Sequence, residues 1–337
     1  MKNIFKLFNK RVFVYTFIIW LILNVSGIQN MYFYGGKIFT TMLVKILHLI
    51  FIYAIVFKLY SLYNQRHIPK VKNEIIISLI YFLILMILLI LVWPGTWSWD
   101  DIKILNNASF LGLTPWHHFF SGLFQILCLQ TIPIPSGVII IQVVIAALIV
   151  GYCISNISTL YGKSKKQVII IQIVLGLITI FPPLVLYILS GFRMGMYSYL
   201  ELALITELII LYKSPRKVTI SDILKISFLT VIISCWRTEG IYYPFFILIL
   251  YLISGEKVIR KKVAIISFFI VMVISFSIGK VNNLMIGNND YSITATMEPV
   301  TQLIRVSDEA DKEEIDVINK VIDIEYVLEN PDKTGED

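Results

Sequence analysis

Two adjacent carboxylates and a histidine follow a long apolar run early in the chain. Residues 93–101 read WPGTWSWDD and end on Asp100 and Asp101, and His117 comes directly after Trp116. A carboxylate can act as a general base on an acceptor hydroxyl or bind a divalent cation, and a histidine can move a proton near neutral pH. These side chains are therefore the first candidates for chemistry.

The same residues also fit simpler roles, which the sequence leaves open. Acidic residues favour the first turn of a helix, so Asp100 and Asp101 also suit the start of a helix. Tryptophan and histidine have an apolar body and a polar tip, so Trp116 and His117 also suit a membrane interface. Because neighbouring residues point in different directions, the two carboxylates need not act as a pair.

The composition indicates the class of protein. Of the 337 residues, 57% are hydrophobic and 15% are charged, and the mean hydropathy is +0.80. Soluble domains carry about 25% charged residues, so ordinary burial does not explain so much apolar sequence. The sequence predicts an all-α polytopic membrane protein. Its three cysteines stand singly in apolar runs and show no metal or redox spacing.

Nine apolar runs predict membrane-spanning helices, and the basic residues between them predict the orientation. Most lysines and arginines fall in the N-terminal segment and in every second connection, which the positive-inside rule assigns to the cytoplasm. This distribution also argues against nucleic acid as a partner, although the net charge is +7. The predicted spans are 12–28, 38–60, 75–93, 137–158, 168–189, 197–212, 223–236, 240–254 and 263–279.

The connection after the third span is the longest on the predicted outer side. A tenth apolar run, 117–132, would reverse the side of every later loop if it crossed the membrane. We therefore predict an interfacial helix in the outer leaflet for this run. Residues 1–280 then form the transmembrane domain, and its outer loop 94–136 carries the candidate active site.

Two arginines at outer helix ends break the pattern of inner-face basic residues. Arg193 and Arg237 adjoin apolar runs, and an arginine in such a place can bind a phosphate with two parallel hydrogen bonds. Pairing with Glu239, with Glu201 or with a lipid phosphate is the alternative. Glu207 lies deeper in a predicted span, where an ionisable group is a candidate functional residue in its own right.

Residues 281–337 differ from the rest of the chain because they are polar and rich in acidic side chains. Ser307 ahead of an acidic first turn predicts a helix that continues to about residue 325. The tail is expected on the outer face, as the start of a domain that the sequence does not contain in full.

The order of these motifs resembles the GT-C superfamily of integral membrane glycosyltransferases, over most of residues 75–325. It is most similar to an uncharacterised bacterial branch with motifs of the Pro-Gly…Asp and Trp-His types. The motifs that carry the resemblance are PGTWSWD at 94–100, WH at 116–117, FPP at 181–183, RTEG at 237–240 and EPVTQ at 298–302.

The resemblance implies transfer of a sugar from a polyprenyl-phosphate donor to a cell-surface glycan or lipid, at the outer face of the plasma membrane. By this resemblance Asp100 corresponds to the catalytic position, His117 to the aromatic-histidine position and Arg237 to the arginine beside the lipid phosphate. A divalent cation, Mg²⁺ or Mn²⁺, held by the two adjacent carboxylates is a further expectation. The other residues expected to contribute to the site are Asp101, Arg193, Glu239 and Trp116.

Two other functions stay open. A transporter or lipid flippase requires paired charges inside the membrane, broken helices and an inverted repeat. Glu207 and the prolines at 182–183 support that hypothesis, although no repeat is visible. A non-catalytic membrane protein, or one whose activity needs sequence beyond this chain, is the other alternative.

Overall fold

The computed structural model describes residues 9–25, 38–114, 118–213, 218–255, 259–286, 304, 312–320 and 323–329. The chain divides into two units, Met1–Met285 and Ile286–Asp337. Within the described ranges it consists of helices and turns, with one isolated backbone bridge and no β-strand. The helices are α1 (Lys10–Val25), α2 (Ile38–Asn64), α3 (Pro69–Leu91), α4 (Trp99–Ser109), α5 (Phe119–Thr131), α6 (Pro135–Tyr161), α7 (Lys165–Thr179), α8 (Pro182–Ile188), α9 (Arg193–Lys213), α10 (Ile220–Ser234), a 3₁₀ helix (Thr238–Tyr242), α11 (Phe245–Ser254), α12 (Lys261–Ile286), α13 (Lys312–Ile318) and α14 (Ile324–Glu329).

Five of the described helices are long and apolar enough to cross a membrane: α2, α3, α6, α9 and α12. Helices α7 and α8 form a sixth candidate if they act as one span, although they are bent by 63° at the break between them. This is the architecture of a multi-pass helical membrane protein, as the composition predicted. The predicted span 168–189 is thus divided at Pro182 and Pro183, because proline lacks the N–H that would continue α7.

Three of the predicted spans coincide with shorter helices. Helices α1, α10 and α11 contain 16, 15 and 10 residues. At 1.5 Å per residue they are about 15–24 Å long, and a membrane core is about 30 Å thick. The count of nine spans therefore stays a prediction.

Helix α6 lies at the centre of the first unit, and most of its membrane-length stretch is buried. Helix α3 runs antiparallel to it. Ser155 Oγ donates to the Lys70 carbonyl at 2.8 Å, late in α6 and early in α3. At the other end Gly95, just after α3, lies against Ile139 near the start of α6.

Helix α9 runs parallel to α6. Gln142 Nε2 donates to the Ser190 carbonyl at 2.9 Å near the start of both helices, and Cys153 Sγ contacts the Leu202 carbonyl at 3.8 Å further along. Helix α3 therefore ends, and α4, α6 and α9 begin, at one end of this unit. We call it the aspartate end.

The predicted interfacial helix 117–132 corresponds to α5, but its environment differs from the prediction. Every residue from 121 to 130 is buried, so α5 packs inside the aspartate end, against α2, α4 and α6. Both of its glutamines make a hydrogen bond to protein: Lys45 Nζ donates to Gln130 Oε1 at 2.5 Å, and Gln125 Nε2 donates to the Gly191 carbonyl at 3.3 Å. Because α3 ends and α6 begins at this same end, the intervening segment makes no net crossing.

Two ion pairs flank the aromatic ring of Tyr152 towards the opposite end. Lys58 Nζ lies 2.5 Å from Glu74 Oε1, and Lys225 forms an ion pair with Glu207. The ammonium groups of both lysines lie over the Tyr152 ring, at 5.1 and 4.7 Å from its centroid. The pairs tie α2 to α3 and α9 to α10. Glu207, the residue on which a transport hypothesis rests, thus has a partner that links two helices.

Replacing Lys58 with methionine is expected to destabilise the protein more than replacing Glu74 with glutamine. Lys58→Met leaves a carboxylate uncompensated whose side chain is 6% exposed, whereas the Lys58 side chain is 37% exposed and can reach water. Partial exposure weakens the pair, so we expect a loss of about 2–3 kcal/mol for Lys58→Met and below about 1 kcal/mol for Glu74→Gln. Unfolding followed by circular dichroism in detergent measures both, and equal losses would contradict this asymmetry.

The second unit contains α13 and α14. Ile304 and Ile324 are buried there and pack with Ile315 and Ile318. The sequence predicted a single helix to about residue 325, but α13 ends before Asn319, whose Oδ1 accepts a hydrogen bond from the Ile324 N–H at 3.2 Å. The Asn319 side chain thus gives a hydrogen-bond acceptor to the first N–H of α14, where a new helix begins. The predicted cap at Ser307 lies outside the described residues.

Candidate functional site

The start of α4 carries both candidate carboxylates. Asp101 Oδ2 accepts hydrogen bonds from the Ser98 N–H at 3.1 Å and from its hydroxyl at 2.7 Å, and Ser98 Oγ accepts from the Asp101 N–H at 3.4 Å. This capping box satisfies free N–H groups in the first turn and fixes where α4 begins. Asp101 therefore has the capping role that was one of its two predicted roles.

The two neighbouring carboxylates differ in exposure. Asp101 is 2% exposed, whereas Asp100 is exposed. Successive residues on a helix are about 100° apart, so one faces the protein while the next faces outward. An acceptor hydroxyl can approach Asp100 directly. It cannot reach Asp101 unless the start of α4 moves.

A buried polar cluster surrounds Gly191, and we call Trp97, Asp101 and Gln125 the Gly191 cluster. Gly191 lies against the Trp97 ring and the Asp101 Cβ, and its carbonyl accepts a hydrogen bond from Gln125 Nε2 at 3.3 Å. Asp101 Oδ1, Trp97 Nε1 and Gln125 Oε1 are buried without a hydrogen-bond partner among the described residues. Buried polar atoms are nearly always paired. Buried water molecules commonly supply the partners of such polar atoms.

The connection before α4 is joined to the connection before α9. The Thr96 N–H donates to the Leu189 carbonyl at 3.0 Å, and the Gly191 N–H donates to the Thr96 carbonyl at 3.1 Å. Gly95 has a φ of 107° and packs against Leu189, a conformation that glycine adopts without strain. These bonds hold the candidate carboxylates beside the start of α9.

The two candidate arginines lie at this same end. Trp236 Nε1 donates to the Arg193 carbonyl at 3.1 Å. Arg237 contacts the sulfur of Met194 through Nη1, and its guanidinium carbon lies 5.8 Å from the centre of the Tyr197 ring. Because Arg193 is two residues from Gly191, the arginines and the Gly191 cluster belong to one continuous region.

Of the remaining predicted site residues, the structure gives a contact for Glu201 and does not describe the others. Glu201, an alternative partner for an arginine, accepts a hydrogen bond from the Tyr243 hydroxyl. Trp116, His117 and the side chain of Glu239 lie outside the described residues. Their predicted roles stay predictions.

A small cavity of about 180 Å³ lies between α5, α10 and α12 at the aspartate end. His118 and Cys235 line it together with two serines, Ser234 and Ser275, whose hydroxyls are buried without partners among the described residues. Sequence reasoning missed this cavity and the Gly191 cluster. The only sequence signals were single polar residues, such as Gln125, inside apolar runs.

The described part of the chain does not provide a complete set of ligands for the predicted divalent cation. No group of three or more His, Cys, Asp or Glu side chains comes together there. Asp101 is buried and engaged by Ser98, whereas Asp100 is exposed, so the two do not face one ion. Mg²⁺ and Mn²⁺ prefer about six oxygen ligands. The cation stays a prediction.

An alanine at position 191 is expected to disturb the Gly191 cluster. A Cβ there would lie 2.5 Å from the Trp97 ring and 3.2 Å from the Asp101 Cβ, so the ring must move. We expect Gly191→Ala to lower the free energy of unfolding by about 1–3 kcal/mol and to shift tryptophan fluorescence. Gly176→Ala is the control, since no atom lies within 4 Å of a Cβ at that helical position. An unchanged Gly191→Ala protein would contradict the close packing.

Comparison with known proteins gives no relative for this chain. No protein-family model, no curated protein and no solved structure matches it with significance.

Proposed function

We propose that this protein is an integral membrane glycosyltransferase of the GT-C type, which moves a sugar from a polyprenyl phosphate to an acceptor hydroxyl. The proposal is supported mainly by one observation. The exposed carboxylate at the start of α4 and both candidate arginines, Arg193 and Arg237, belong to the same end of one helical unit. A base and a phosphate-binding cation are the two groups that such a transfer requires.

In the proposed mechanism, Asp100 takes the proton of the acceptor hydroxyl. The acceptor oxygen forms a bond to C1 of the sugar while the bond from C1 to the phosphate oxygen breaks, so the configuration at C1 inverts. Polyprenyl phosphate leaves with the bonding electrons. Arg237, with Arg193, stabilises the negative charge that develops on it, and a preorganised donor of this kind contributes about 3–4 kcal/mol.

In this proposal Asp101 is a positioning residue and does not take the proton itself. Its bonds to Ser98 fix the first turn of α4 and hence the direction of Asp100. His117, Trp116 and Glu239 are proposed to contact the donor or the acceptor, in line with the motifs that carry the resemblance.

The proposed orientation puts the aspartate end on the outer face of the plasma membrane and the N-terminus in the cytoplasm. The nine-span topology and an acceptor in the cell-surface glycan or lipid belong to the same proposal. The clustering of lysines and arginines in alternate connections supports it.

One experiment tests the function directly. Purified protein is incubated with a panel of polyprenyl-phosphate sugars and candidate acceptors, with and without Mg²⁺ or Mn²⁺, and release of polyprenyl phosphate is measured. We expect release from at least one donor that depends on the acceptor. Vesicle uptake that depends on Glu207, without any sugar transfer, would replace this proposal with the transporter hypothesis.

A further inference from the structure

A groove of about 850 Å³ lies between α2, α3 and α6. It lies away from the Gly191 cluster and contains none of the proposed catalytic residues. Its floor and walls are apolar, formed by residues such as Leu62, Ile75, Leu79 and Phe82. The volume falls in the range of small-molecule and cofactor sites.

One end of this groove is basic. Arg66, His67 and Lys72 line it where α2 ends and α3 begins, and no acidic side chain lines it among the described residues. The Arg66 guanidinium lies 3.9 Å from the Tyr63 ring centre and donates one hydrogen bond to the Tyr63 carbonyl at 2.6 Å. A guanidinium has five N–H donors, so most of them stay available for an anion.

The length of the groove matches one membrane leaflet. Helix α3 lines it from Lys72 to Phe82, and ten residues of helix extend about 15 Å. A membrane core is about 30 Å thick, so half of it is also about 15 Å. Basic side chains near helix ends lie at headgroup level, where anionic lipids attract them.

We propose that this groove binds one anionic glycerophospholipid of the adjoining leaflet. Its phosphate lies between Arg66 and Lys72, and an acyl chain follows α3 as far as Phe82. The charge of the groove end selects the headgroup, and the apolar floor selects the chain. A polyprenyl chain would extend well past the groove, so an ordinary phospholipid is the occupant. This inference does not rest on the proposed transferase function.

The test measures lipid binding to the purified full-length chain by native mass spectrometry in a neutral detergent. Phosphatidylglycerol and phosphatidylcholine with identical acyl chains are compared. We expect phosphatidylglycerol to bind on the order of tenfold more tightly, since each basic residue near a headgroup contributes to its attraction. Arg66→Gln/Lys72→Gln is expected to remove this preference, because both side chains are exposed and carry the charge at this end of the groove.

Two further variants distinguish what the basic side chains contribute to lipid binding from what the apolar floor of the groove contributes. Lys163→Gln/Lys166→Gln removes the same charge from exposed positions just before α7 and in its first turn, outside the groove, and is expected to leave binding within about twofold. Leu79→Trp fills the apolar floor without a change of charge and is expected to weaken binding of phosphatidylglycerol. Equal binding of both lipids, equal loss in both double variants, or displacement of phosphatidylglycerol by polyprenyl phosphate would each overturn the proposal.

Discussion

Replacing Asp100 with asparagine is expected to abolish sugar transfer and to leave the folded protein intact. Asparagine has the same shape but cannot take a proton, and a positioned general base contributes about 10²- to 10⁴-fold to a rate. Because the Asp100 side chain is exposed, its loss costs little stability. The measurement is the initial rate of polyprenyl phosphate release, together with membrane yield and unfolding temperature.

Asp101 is the matched control for this experiment, since it is the adjacent carboxylate with a different environment. Asp101→Asn alters the capping box, so we expect a loss of about 1 kcal/mol in stability and only a partial loss of rate. The residual rate separates the two roles, because Asp101→Asn is expected to keep part of the transfer rate and Asp100→Asn almost none. If Asp100→Asn transferred sugar at the full rate while Asp101→Asn were inactive, Asp101 would be the general base and Asp100 would only support the start of α4.

Local sequence rules account well for the long helices. The predicted spans 38–60, 75–93 and 137–158 correspond to α2, α3 and α6, but α3 begins six residues before its apolar run. Proline at the first turn sets that start at Pro69, and Pro135 does the same for α6. Hydropathy identifies the apolar stretch of a helix, whereas proline, which fits the first turn of a helix, identifies where the helix begins. The start of α4 was predictable for the same reason, because Ser98 and Asp101 form a cap from neighbouring residues.

The candidate site was less predictable because it depends on distant contacts. Gln125 bonds to the carbonyl of Gly191, 66 residues away, and Trp97 packs on the same glycine. No periodicity connects such residues. The same limit explains α5: an apolar helix with two glutamines fits either a membrane surface or a protein interior. Only its packing partners, such as Lys45, identify it as buried.

Replacing Arg237 with glutamine is expected to slow sugar transfer by about 10²- to 10³-fold, mainly through kcat. The developing charge on the leaving phosphate is largest in the transition state, so a donor aimed at it affects kcat more than KM. Arg237→Lys keeps the charge but not the two parallel hydrogen bonds of a guanidinium, so we expect an intermediate rate. Steady-state kinetics with the donor as the varied substrate measures both changes.

The control for Arg237 must distinguish chemistry from packing, because its side chain contacts Met194 and lies over Tyr197. Met194→Leu removes the sulfur contact and keeps the arginine, and it is expected to transfer sugar within about threefold of the original rate, because a swap of similar volume costs little stability. Arg260→Gln removes an exposed arginine elsewhere and is expected to have no effect on kcat. If Met194→Leu slowed transfer as much as Arg237→Gln, then Arg237 would support the fold of this end of the protein, and the phosphate-binding role would pass to Arg193.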